Sequence, residues 1–258
     1  MNAKKIRTMI ENGEELPIEA QRHMICKANL KLFSLYIKNH FISPEVEPEL
    51  LKTSARELLK AYIENGNWLS APVQKMMLED EYIGAFKLYT AKAQLKNNLH
   101  PELINPSRFM QYETFLNNGK YLNPKAEELL FKPENAKALT RYIQTAQFSR
   151  EMQKRLLQPE NRDIFEKYLQ YRRLSPKVEA QLLEPENFNA FCIYNRHYAL
   201  SEKNQHKMLN SNNSELLRRF LSWWHLCKSA RCIQMLRSTD TSLPEKRTLQ
   251  LLARITQS

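Results

Sequence analysis

His225, Cys227 and Cys232 are the densest set of potential metal ligands in the chain, with Cys192 or His197 able to join them from upstream. An imidazole and two thiolates suit zinc, but the spacing matches no common zinc site and both cysteines fall at ordinary helix positions. The expectation is no metal and no cofactor. Glu134, Glu160 and Glu186 each follow a proline, at Pro133, Pro159 and Pro185. Carboxylates serve acid–base chemistry, yet their regularity places these in the first turn of a helix, where negative charge suits the helix dipole. The adjacent Asn135, Asn161, Asn187 and a further Asn213 are expected to cap the same turns. There is no nucleophile elbow, zincin motif, Cys-x-x-Cys pair, glycine-rich phosphate loop or dinucleotide fingerprint, so no enzyme is expected.

Basic side chains form the more suggestive pattern. Lys125, Lys177 and Lys203 fall at one recurring position, Arg141, Lys167 and Arg219 at another, and Arg172, Arg173, Arg196 and Arg218 cluster nearby. The 39 Lys and Arg outnumber the 28 Asp and Glu for a net charge of +11. Residues 1–129 hold 17 against 16, net +1, whereas residues 130–258 hold 22 against 12, net +10. Such residues on repeated elements make a line of charge that could follow a polyphosphate backbone or an acidic partner.

What must position these residues is a repeat. "LLFKPENAKALTRYI", "LLQPENRDIFEKYL" and "LLEPENFNAFCIYN" succeed one another, and similar segments begin at Leu16, Ile42, Leu69, Leu95, Leu122, Phe148, Leu174 and Leu200, with a degenerate ninth at Leu226. The spacing is 26 or 27 residues throughout. Counting that first residue as column 1, column 2 is usually Ser or Asn (Ser43, Ser70, Asn123, Ser149, Ser175, Ser201), which predicts a helix N-cap, often with proline next. Columns 5, 9 and 10 are mostly apolar, and the column-12 proline of Pro106, Pro133, Pro159 and Pro185 ends this first helix. A second helix follows, with column 18 always apolar or Tyr and column 21 always aromatic: Tyr36, Tyr62, Tyr89, Phe115, Tyr142, Tyr168, Tyr194 and Phe220. Held at helical spacing, those aromatics read as the core between neighbours; the competing reading is an exposed ladder for stacking bases. Gly13, Gly66 and Gly119, each after an asparagine, read as left-handed helix C-caps that account for the 27-residue spacings.

A short helix pair cannot bury its apolar face alone, so the period predicts stacking. The expected fold is all-α: a right- or left-handed superhelical α-solenoid of about nine short helix-pair repeats. It would be a single elongated domain, with residues 1–15 as an N-terminal cap helix, 16–225 as eight repeats and 226–258 as the degenerate repeat and C-terminal cap helix. The four cysteines read as reduced thiols packed like small apolar residues; Trp68, Trp223 and Trp224 lie near repeat ends, where the pair reads as closing the core against the C-terminal cap, with ligand contact as the alternative. No run reaches the length of a membrane span, and the first 15 residues lack the apolar stretch of a secretory signal. A cytoplasmic location is expected; delivery to a host cell by a secretion system that reads no cleavable signal would look the same.

The chain resembles α-solenoids in the broad sense of HEAT, armadillo and tetratricopeptide proteins, although its period is shorter than theirs. Its "PEN" turn followed by "YI" or "YL" resembles short helical repeats in uncharacterised proteins of host-associated Gram-negative bacteria, over residues 16–225. The resemblance implies an interaction scaffold, of bacterial effector type, and transfers no functional residue. The expected partner is a protein or peptide, the alternative a nucleic acid bound through the basic half, and the least favoured reading a HEAT-like DNA-repair enzyme.

Overall fold

Helices of four to ten residues are too short to persist in water by themselves, so each must be held by its neighbours. The computed structural model describes residues 3–26 and 29–209, and every regular element among them is helical. The chain contacts divide into two compact units, Met1–Ala146 and Gln147–Ser258.

In the first unit the helices are α1 (Ala3–Glu11), α2 (Ile18–Cys26), α3 (Leu30–Tyr36), α4 (Arg56–Glu64), α5 (Ala71–Met76), α6 (Ile83–Lys92), α7 (His100–Leu103), α8 (Phe109–Asn117), α9 (Pro124–Leu129) and α10 (Ala136–Thr145). A 3₁₀ segment, Glu47–Leu51, stands where one first helix would be. The N-terminal helix α1 packs on α3, and the column-21 helices pack in sequence, α3 on α4, α4 on α6, α6 on α8 and α8 on α10. The second unit repeats the pattern with α11 (Arg150–Arg155), α12 (Arg162–Leu169), α13 (Pro176–Glu179), α14 (Phe188–His197) and α15 (Glu202–Leu209), where α12 packs on α14 and α11 on α13.

The column-21 aromatics from Tyr36 to Tyr194 are all fully buried, as are Phe33, Phe86, Phe165 and Phe191 at column 18. They are core, and the base-stacking reading of column 21 is excluded for these seven. Gly13, Gly66 and Gly119 have φ of 75°, 82° and 69°, as a left-handed cap requires. At Gly66 the Asn67 N–H donates to the Tyr62 carbonyl (3.1 Å), the six-to-one bond of a Schellman turn. The asparagine before it also ties two repeats together, since Asn65 Nδ2 donates to the Ile37 carbonyl (2.8 Å) of the preceding repeat.

Several local expectations are corrected. The "PEN" prolines open a 3₁₀ turn, as in Pro133–Asn135, Pro159–Asn161 and Pro185–Asn187, and Glu134, Glu160 and Glu186 sit exposed in that turn and not in the helix after it. Asn135, Asn161 and Asn187 do not cap the second helix. Their Nδ2 groups reach back 2.8 Å each to the carbonyls of Leu129, Arg155 and Gln181, closing the end of the first helix. At column 2, Asn123 and Ser149 accept from the amides of Ala126 and Met152, whereas Ser70 and Ser175 make no such bond. Cys26 is exposed and not packed, and Cys192 is half-buried.

Candidate functional site

Column 6 carries the fold's internal chemistry. It reads Gln21, Glu47, Gln74, His100, Glu127, Gln153, Glu179 and Gln205, and every one is at most 4% exposed. A buried polar side chain is tolerated when its hydrogen bonds are made, and from Gln21 to Glu179 these side chains lie between two repeats that supply them, His100 through Nδ1 with its Nε2 left without a partner. The glutamines donate Nε2 to the column-1 carbonyl of their own repeat: Gln21 to Leu16 (2.8 Å), Gln74 to Leu69 (2.7 Å), Gln153 to Phe148 (2.7 Å) and Gln205 to Leu200 (2.6 Å). The column-2 amide of the next repeat donates to the column-6 side chain: Ser43 to Gln21 (2.8 Å), Ser70 to Glu47 (2.8 Å), Lys96 to Gln74 (2.9 Å), Asn123 to His100 (3.0 Å) and Ser175 to Gln153 (2.7 Å).

The column-21 hydroxyl completes the set. Gln74 donates to Tyr89 (3.1 Å), whereas the Tyr142 hydroxyl donates to Glu127 (2.7 Å) and the Tyr194 hydroxyl to Glu179 (2.8 Å). Phenols buried this way remain protonated. Burial pushes Tyr89 up to about 12, and burial reinforced by Glu47, Glu127 and Glu179 holds Tyr62, Tyr142 and Tyr194 higher still. One repeat changes both partners together: His100 meets Phe115 edge-on at 5.2 Å, and with no hydroxyl opposite it the ring accepts the Asn123 amide on Nδ1. Burial lowers the His100 pKa, the Leu95 carbonyl opposing this more weakly. These side chains are consumed in joining repeats, so the titratable interior is structural.

The outer edge has a different character. The residue before column 1 is Phe41, Trp68, Gln94 and Tyr121 in four consecutive repeats of the first unit, and the three aromatics are 72%, 57% and 61% exposed. Each lies in a short strip outside regular secondary structure whose next residue, Ile42, Leu69 or Leu122, is buried, so exposed aromatic and buried aliphatic residue alternate there. The column-2 bonds to the preceding repeat fix each strip, and Asn123 Nδ2 also donates to the Asn97 carbonyl, at the start of the preceding repeat's first turn. The second unit shows how close such strips run. Gln147 Nε2 donates to the Arg173 carbonyl (3.4 Å) and Arg173 Nη2 to the Ala199 carbonyl (2.7 Å), one edge residue to the next.

The basic residues separate into two groups. Lys125, Lys177, Lys203 and Arg196 are exposed. Arg141 is committed within the first unit: its Nε lies 3.1 Å from Glu113 and its Nη2 donates to Asn117 (2.7 Å). Arg173 bridges to the Ala199 carbonyl, lies 3.7 Å from Glu179 and covers the Tyr198 ring at 5.5 Å. Lys167 and Arg172 are half-buried, and the column-20 line is interrupted by the buried Ile193. Arg218, Arg219, Asn213 and Phe220, the set His225, Cys227 and Cys232, the paired Trp223 and Trp224, and the ninth repeat lie outside the described residues.

Reading the sequence missed both the column-6 bonds and the exposed aromatics. The signal for the first was present: a Gln, Glu or His stands at column 6 of all eight full repeats. Among the described residues no helix is long and apolar enough to cross a membrane, and no group of three His, Cys, Asp or Glu is placed to hold a metal ion. No protein-family model, curated protein or solved structure matches this chain.

Proposed function

We propose that each unit is a stretch of α-solenoid and that the protein is a non-enzymatic scaffold binding a protein partner along its edge. The observation that carries this reading is the row Phe41, Trp68 and Tyr121, three aromatic rings more than half exposed at one position of a frame tied repeat to repeat. Exposing rings of this size to water is unfavourable by about 1.5 kcal/mol or more each relative to burial, and Trp and Tyr are the residues that most often anchor interfaces. A rigid frame adds to their value, because little side-chain and loop freedom remains to be lost on binding.

The test is site-specific photo-crosslinking in cell lysate, with benzoylphenylalanine placed at Phe41, Trp68 or Tyr121, and at the exposed Lys60 as the off-edge control. One shared protein adduct from the three edge positions and none from Lys60 is expected. Equal labelling from all four positions, or no adduct from any, would overturn the reading.

A second reading, binding of a phosphate backbone, is favoured by the exposure of Lys125, Lys177 and Lys203 at column 4. It predicts affinity for single-stranded RNA or duplex DNA that falls steeply between low and physiological salt, with each lysine changed to Glu lowering the slope by about one. Salt-independent binding would exclude it.

A further inference from the structure

The second unit contains an open cleft of about 440 Å³ between the turn leading into α12 and one side of α14. Its equivalent in the first unit, between the turn leading into α8 and the start of α10, measures about 60 Å³. The difference has identifiable causes. In the first unit the Tyr112 hydroxyl donates across the groove to the Ala138 carbonyl (2.7 Å), and Lys137 Nζ sits 3.8 Å from the centre of the Phe109 ring. Arg141 then ties the next turn to Glu113. The same columns of the second unit hold Phe165, Ala190, Asn189, Arg162 and Ile193 in place of Tyr112, Ala138, Lys137, Phe109 and Arg141. Phe165 has no hydroxyl to span the groove, Arg162 turns to Glu166 on its own helix (3.3 Å), and no guanidinium from α14 stands at column 20. Every device that closes the first groove is missing from the second.

What remains has an apolar floor, with Leu156, Phe165, Ala190 and Ile193 among its lining residues. Its rim carries the guanidiniums of Arg162 and Arg196 against the single carboxylate of Glu186, with the exposed side-chain amides of Gln158 and Asn189. In the Arg162–Glu166 pair the guanidinium is largely exposed and the carboxylate partly so, which makes the pair weak and exchangeable. Two guanidiniums favour an incoming carboxylate in bidentate geometry, while the amides supply both a donor and an acceptor for peptide backbone. Closely spaced phosphates would set several negative charges near Glu186, so a chain carrying one carboxylate beside an apolar residue is the better match.

We propose that this cleft is a peptide-docking site taking an acidic segment of a partner protein, one apolar side chain on the floor and its flanking carboxylate at Arg162 and Arg196. It is independent of the aromatic edge.

The test is fluorescence anisotropy of the full chain, at physiological salt, with a labelled peptide of about eight residues carrying a central leucine with one adjacent glutamate in an otherwise neutral polar sequence. Three probes accompany it: the glutamine analogue, the analogue with alanine for leucine, and a thymidine strand of similar length. The glutamate–leucine peptide should bind, and both peptide analogues should bind about tenfold more weakly or worse. Arg196→Glu should abolish binding. The triple variant Arg162→Phe, Phe165→Tyr, Asn189→Lys copies the closed groove of the first unit and should likewise lose about tenfold or more, with circular dichroism and melting as in the wild type. No binding of the glutamate–leucine peptide, undiminished binding by Arg196→Glu, or equal binding of the glutamine analogue would overturn the proposal. So would a thymidine strand that outcompetes the peptide and is lost in the same variants. Crosslinking at Phe41, Trp68 and Tyr121 is read separately, so failure here leaves the edge reading standing and the reverse.

Discussion

A buried carboxylate is destabilising unless its lone pairs are used, and Glu179 uses them on the Tyr194 hydroxyl, the Ser201 amide, Asn204 Nδ2 and, at 3.7 Å, the Arg173 guanidinium. Removing it strands the Tyr194 hydroxyl and the Ser201 amide, while Arg173 keeps the Ala199 carbonyl and Asn204 the Pro176 carbonyl. Glu179→Ala should therefore cost about 3 kcal/mol or more in urea unfolding, whereas Glu179→Gln, which installs the residue found at this column in Gln153 and Gln205, should cost about 1 kcal/mol. Equal stability for the two variants would show that the hydrogen bonds of the column do not hold neighbouring repeats together. His100 makes the same column pH-sensitive. Burial sets its folded pKa below its unfolded value of about 6.5, so the unfolded chain binds the extra proton first. The contribution is thus fully present above about pH 6.5 and is lost as pH falls through the folded pKa. The stability difference between wild type and His100→Gln should shift toward the variant as pH falls from about 7.5 to about 5.5, and a flat difference across that range would contradict a neutral, buried ring. These residues were hard to foresee because single polar side chains in short helices read as solvent-facing; only their alignment at column 6 marks them as buried.

At the scale of elements, the aromatic columns and the glycine caps were legible, since core aromatics and left-handed glycines each leave one residue type at one position. Tyr36 to Tyr194 and Gly13, Gly66 and Gly119 all stand as expected. The turns between helices were not legible in the same way. Proline, glutamate and asparagine in "PEN" are equally good at starting a helix and at making a 3₁₀ turn, and the long reach of Asn135 back to Leu129 is decided by the packed first helix, not by the tripeptide. The glycine caps give a clean test because a Cβ at Gly66 or Gly119 would meet nothing within 4 Å, leaving backbone conformation as the whole effect. Gly66→Ala and Gly119→Ala should each lower stability by about 1 kcal/mol, whereas alanine at Gly84, in the first turn of α6 with ordinary helical φ and also uncrowded, should stabilise by about 0.5 kcal/mol. Thermal melts showing the same sign for all three would be incompatible with the left-handed caps.

At the scale of the molecule, the design separates a hydrogen-bonded frame from a variable exterior. The frame uses columns 6 and 21; the exterior presents the edge aromatics of the first unit and the cleft and exposed cations of the second. The charge asymmetry was visible in the sequence but could not be assigned to a surface from it. Residues 210–258 hold 8 basic against 3 acidic residues, net +5, so half of the +10 lies outside the described residues, and Arg141 and Arg173 are occupied internally. The aromatic edge went unread because Phe41, Trp68 and Tyr121 precede an apolar residue and so merge with the core pattern of column 1. The most direct measurement is a side-by-side comparison of two variants, Glu179→Ala and the triple Phe41→Ser, Trp68→Ser, Tyr121→Ser, scored for melting temperature and for capture of the crosslinked partner. The account predicts that the triple variant melts like wild type but loses about tenfold or more in capture, while Glu179→Ala melts lower and, below its transition, captures normally. A triple variant that captures as well as wild type, or that loses capture only by unfolding, would contradict it.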